Sequence, residues 1–83
     1  MSEANGDVRA LIEQIARSLV EAPDQVVTDV YEDGDETVVE LEVAPTDIGR
    51  VIGRQGRVVR AMRTVLGAVG VKQDKFYALE IVE

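Results

Sequence analysis

The sequence predicts an α+β domain: a three-stranded mixed sheet with three helices on one face, in the order α-β-β-α-α-β. Three observations carry this. Two long segments place apolar residues at helical spacing, one near the start and one in the second half. Between them lie two β-prone runs joined by Asp33-Gly34, a hairpin signal. The chain closes on a third β-prone run, separated from the second by helical sequence long enough to set those two strands parallel, with a right-handed crossover.

The first helix follows from Val8, Leu11, Ile12, Ile15, Ala16, Leu19 and Val20, which form one stripe. Asn5 or Asp7 is its expected cap and Pro23 its stop, giving a helix over about 7–21. "QVVTDVY" and "TVVELEV" are the hairpin strands. In the second, Val39, Leu41 and Val43 share one face and Glu40 and Glu42 the other, so one side of the sheet is dry and the other acidic and wet. Pro45 ends that strand, Thr46 is the expected N-cap of the next helix, and Asp47 complements its dipole. This helix is short, with Ile48, Val51 and Ile52 as its contacts, and Gly53 interrupts it. A third helix starts near Arg57 with Val58, Val59, Met62, Val65, Leu66 and Val69 at helical spacing, and Gly70 is its expected C-cap. "KFYALEIVE" is the last strand, with Tyr77, Leu79 and Ile81 on one side. Residues 1–6 are expected to be a flexible start and 7–83 a single domain.

The 83 residues amount to one small domain. A domain of this size buries roughly 60–65% of its unfolded surface, so a partner subunit would add stability. The chain has neither cysteine nor histidine, which removes disulfides, thiolate metal sites and the commonest general base. Glu40 and Glu42 share a strand face, but their neighbours mark a solvated surface rather than a pair of catalytic carboxylates. No enzyme activity, cofactor or metal is expected. No apolar run is long enough for a membrane span and no secretory signal pattern opens the chain, so no membrane insertion and a cytoplasmic location are expected.

The net charge of -7 argues against simple electrostatic attraction of nucleic acid, yet its distribution is uneven. Between Ile48 and Arg63 there is no acid, and Arg50, Arg54, Arg57, Arg60 and Arg63 supply five of the nine basic residues. The other four face all sixteen acids. Inside this window lies "VIGRQGR", Val51 to Arg57. Gly53 and Gly56 permit torsions and close approach that side chains block. The third helix begins there, with unpartnered N–H groups and the positive end of its dipole. Glycines, N–H donors and flanking arginines together suit a phosphate. A corner whose glycines merely allow the bend is the competing reading.

The stretch Val51-Ile52-Gly53-Arg54-Gln55-Gly56-Arg57-Val58-Val59 resembles the signature of KH domains: an aliphatic pair, G-x-x-G, a basic residue, then aliphatics. The element order matches the type II arrangement of that family. The resemblance spans residues 7–83 and is closest to the KhpA family of small single-KH bacterial proteins, echoed here by "EVAPTDIGRVIGRQGRVVRAMRTVL". It implies binding of single-stranded RNA, about four nucleotides clamped by the G-x-x-G loop. Carried over, Gly53, Arg54, Gln55 and Gly56 meet the sugar-phosphate backbone, and Arg50, Arg57 and Arg60 add phosphate contacts. Bases lie in an apolar groove drawn from Ile48, Val51, Ile52 and Val59, with the central strand near Val39 or Leu41. For each of these apolar residues a core role competes. The resemblance further implies an RNA chaperone or post-transcriptional regulator linked to cell-wall growth, cell shape and division. Its implied partners are a second copy, a larger KhpB-type (Jag or EloR) protein, or both.

Tyr31, Phe76 and Tyr77 fall on strands far in sequence from the loop, so no aromatic stacking platform is expected. On the third helix, Ala61 and Ala68 widen the apolar stripe, and Met62, Val65 and Val69 are the candidate interface, set against packing on the domain's own sheet. A protein-interaction module on a KH scaffold, with little RNA binding of its own, is the alternative function.

Overall fold

The computed structural model describes residues 3–83, with side chains from Gly6 onward. Helix α1 runs from Glu3 to Leu19, strand β1 from Val27 to Asp33 and strand β2 from Glu36 to Glu42. Helix α2, Ile48–Ile52, is followed by helix α3, Arg57–Gln73, and strand β3, Phe76–Ile81. The order α-β-β-α-α-β and the mixed sheet are as expected from the sequence. The strands lie in the order β1-β2-β3. The β1-β2 pair is antiparallel and β3 lies parallel to β2, with Val39 opposite both Val30 and Leu79.

Val8, Ile12 and Ala16 of α1, Val39 and Leu41 of β2, Val51 of α2, Val59, Met62 and Leu66 of α3, and Leu79 of β3 form the core. The expected α1 stripe therefore divides. Its centre is buried, while Leu11 and Leu19 remain exposed. Across the hairpin Asp33 pairs with Glu36, leaving Gly34-Asp35 as a two-residue loop. Gly34 has φ 63°, the positive φ that a type II′ turn needs at its first central position.

Four expectations need correction. Residues 3–6 are helical, so Asn5 and Asp7 lie inside α1 rather than capping it, while residues 1 and 2 fall outside the described residues. Gly6 weakens a helix interior by about 1 kcal/mol relative to alanine but does not end it. At its other end α1 stops at Leu19, ahead of Pro23, because the amides of Glu21 and Ala22 bond a side chain from elsewhere in the fold. Thr46 does not cap α2; it sits within a single 3₁₀ turn, Pro45–Asp47.

Gly70 is not a cap either, since α3 continues to Gln73. Asp74 takes the left-handed conformation, φ 57°, that usually falls to glycine. The Lys75 N–H then bonds the Gly70 carbonyl at 2.8 Å and the Asp74 N–H the Val71 carbonyl at 3.4 Å, the two bonds of a Schellman motif. Gly70 is glycine because the chain returns against it: an added Cβ would stand 2.5 Å from the Lys75 carbonyl oxygen.

Candidate nucleic-acid interface

Gly53 closes α2 by donating its N–H to the Gly49 carbonyl at 2.9 Å. Its φ of 79° and ψ of 168° belong to a region open essentially to glycine. A Cβ there would lie 2.5 Å from Val58 Cγ2 and 2.9 Å from the Val58 nitrogen. Gly53 is thus required by packing. A side chain at this position would stand over the Val58 nitrogen.

A single 3₁₀ turn, Arg54–Gly56, links the two helices. Gln55 and Gly56 both adopt left-handed torsions, with φ 57° and 73°. For glutamine this stores about 1 kcal/mol of strain. The Gly56 N–H donates to the Gly53 carbonyl at 3.1 Å, and the Arg57 N–H to that of Arg54. No side chain caps α3, so the positive end of its dipole is left without a charge of opposite sign.

The five arginines separate by position. Arg54, Arg57 and Arg60 gather at this turn and all are exposed. Arg60 Nη2 donates to the Gln55 carbonyl at 2.9 Å, folding its guanidinium back over the loop, and Arg57 Nη2 lies 3.4 Å from Gln55 Oε1. Arg63 turns away and donates to the Leu79 carbonyl of β3 at 3.1 Å. Arg50 is also engaged elsewhere, paired with Glu21 and, through Nε, 3.4 Å from Asp47 Oδ1. Three cations therefore crowd one helix N-terminus, where cations are disfavoured. An anion seated there relieves that crowding and complements the helix dipole.

Of the apolar candidates, Val39, Leu41 and Val51 are fully buried in the core. Ile48 and Ile52 are half-buried, and Val59 is 8% exposed. Ile52 and Ile48 are thus the accessible apolar surface beside the loop. On α3, Met62 faces the core and only Val65, with 42% exposure, is openly accessible among the three candidate interface residues, Val69 being half-buried. Ile15, Leu19, Val58, Ala61, Met62 and Val65, together with Arg57, line a mostly apolar groove of about 350 Å³ between α1 and α3.

Sequence reasoning missed the role of Asp47. It reads locally as an acid at a helix start, but it is 2% exposed and accepts the Glu21 and Ala22 amides. No local signal exposes this, because the partners lie 26 and 25 residues away. Elsewhere, no group of histidine, cysteine, aspartate or glutamate among the described residues is arranged to hold a metal, and none of the described helices is long and apolar enough to cross a membrane.

The family model described as "KhpA/KhpB, KH domain" matches residues 9–81. Several curated proteins named "RNA-binding protein KhpA" are similar over almost the whole chain. The one from Clostridium acetobutylicum is 44% identical over 90% of this chain and all of its own length. That from Borreliella burgdorferi is 42% identical with both chains covered in full. The Aquifex aeolicus protein is 46% identical over 92% of this chain and 96% of its own.

Proposed function

Since the chain belongs to the KhpA/KhpB family of KH domains, we propose that it binds single-stranded RNA through the turn between α2 and α3. One observation carries the reading: Arg54, Arg57 and Arg60 surround an uncapped helix N-terminus whose approach is kept open by Gly53 and Gly56. Backbone amides and guanidinium groups meet phosphate oxygens there. The contacts fall on the sugar-phosphate backbone, so the grip holds a strand without reading its bases. Gly53, Arg54, Gln55 and Gly56 form the clamp, Arg57 and Arg60 flank it, and Ile52, with the edge of Val59, offers apolar surface to a base. The curated relatives named as RNA-binding proteins support the same ligand.

Replacing Arg54 and Gln55 with aspartate sets two negative charges where phosphate sits. The double variant is expected to lose RNA binding in a fluorescence titration while its circular dichroism is unchanged. Undiminished binding would sink the reading. With about three phosphates contacted, the wild-type slope of log K against log salt is near -2.

A second reading, a protein-interaction role, is favoured by the apolar groove between α1 and α3. We combine the two: a weak single module gains avidity from a second copy or a KhpB-type partner seated on that groove. In that setting the protein acts in the cytoplasm as an RNA chaperone or post-transcriptional regulator tied to cell-wall growth, cell shape and division.

A further inference from the structure

Asp47 is the buried charged side chain among the described residues. Its Oδ1 accepts the Glu21 N–H at 3.1 Å and its Oδ2 the Ala22 N–H at 3.1 Å. The Arg50 Nε lies 3.4 Å from Oδ1, and the Arg50 Nη2 pairs with the Glu21 carboxylate. The turn leaving α1 is thereby fastened to the first turn of α2 through backbone and side chain together. Because α2 has only five residues and ends at Gly53, whatever orients its first turn also orients the loop.

We propose that Asp47 and Arg50 are positioning residues: they set α2 and the G-x-x-G loop against α1, and Arg50 neutralises no RNA phosphate. The inference rests on the RNA-gripping reading of the loop. Two carboxylates already hold Arg50, and a phosphate recruiting it would leave the buried Asp47 short of its cation, an expensive exchange. Arg54 has no carboxylate partner among the described residues, which suits it to the ligand.

The test has two arms. In the free protein, Asp47→Asn keeps one carbonyl acceptor but turns an amide group toward a backbone donor. Solvent exchange of the Glu21 and Ala22 amides is expected to quicken by about tenfold, as for loss of one charge-assisted hydrogen bond. The Gly53, Gly56 and Arg57 amide signals shift with it in nitrogen–proton correlation spectra. If those loop signals stay in place, Asp47 does not position the loop, whatever happens with RNA.

The second arm uses the exposed Arg50, whose replacement leaves the core intact. With a single-stranded oligonucleotide, Arg50→Gln is expected to weaken binding about fivefold through lost preorganisation, with an unchanged salt slope. Arg54→Gln, by contrast, lowers the magnitude of the slope by about 0.7, the share of one phosphate. An equal drop for Arg50→Gln overturns the proposal. If Arg54→Gln also leaves the slope unchanged, it is the gripping reading that fails, and the amide signals of Asp47→Asn still decide the positioning role.

Discussion

Two glycines three residues apart on α3 show how little a residue type says without its surroundings. Gly67 has nothing within 4 Å of an added Cβ, whereas one on Gly70 would meet the Lys75 carbonyl oxygen at 2.5 Å and the Tyr77 ring at 3.4 Å. Gly67→Ala is therefore expected to stabilise the protein by up to about 1 kcal/mol through helix propensity alone. Gly70→Ala has the same propensity gain but forces a backbone segment aside, and a net loss of about 1–2 kcal/mol is expected. Urea unfolding midpoints moving in opposite directions would check both. The loop glycines divide in a similar way, since Gly53 is enforced by contact with Val58, while a Cβ on Gly56 would come no closer than 3.8 Å to its neighbours and only the positive φ disfavours it. Both were legible as special positions in the sequence, but the reason for each was not.

At the scale of elements, the sheet is held from its open side as well as from its core. Tyr31 of β1 stands opposite Val38 of β2, which in turn stands opposite Ala78 of β3. The Tyr31 hydroxyl donates to Glu80 Oε2 of β3 at 2.6 Å, so the side chain spans the central strand and helps keep Val38 buried on an otherwise wet face. The hydrogen bond to Glu80, with burial and nearby carboxylates adding to it, pushes the phenol up to about 12. Burial and Glu32 raise Tyr77 as well. A phenol whose folded pKa is raised contributes stability that is complete below its ordinary value near 10 and is lost as pH climbs toward 12. Phenolate absorbance is therefore expected to show little change at pH 10, and Tyr31→Phe should remove the step near 12. A tyrosine titrating at its ordinary value in the wild type, and missing from Tyr31→Phe, would show that the span across β2 is not formed.

Over the whole molecule, charge is sorted by face. The open side of the sheet presents Asp29, Asp33, Glu36, Glu40, Glu42 and Glu80 with no arginine or lysine among its strand residues. The arginines of the acid-free window project from the helical part instead. A polyanion approaching the sheet meets this row of acids, whereas one approaching the loop meets arginines, and the proposed RNA grip relies on that asymmetry. In the proposed reading, the α1–α3 groove is the corresponding surface for a second copy. Val65 is exposed enough to accept arginine without disturbing the core. Val65→Arg is expected to stay folded and to sediment as a monomer under conditions where the wild type self-associates. A variant that keeps the wild-type oligomeric state would remove α3 from the interface.

Element order and the break between the last two helices were legible in the sequence, whereas the start of α1 and the cap of α2 were not. The end of α2 ahead of Gly53, the start of α3 at Arg57 and the parallel β2-β3 pair follow from periodicity, torsional demands and connection length, which act between near neighbours. The glycine pair and the arginine window were legible for the same reason. How these residues are used depends on packing across the fold. It buried Val51, turned Arg63 to the Leu79 carbonyl and drew Arg50 into the clasp around Asp47. Five arginines thereby became three at the loop. A side chain's partner is set by packing between segments tens of residues apart, and local sequence carries no record of that separation.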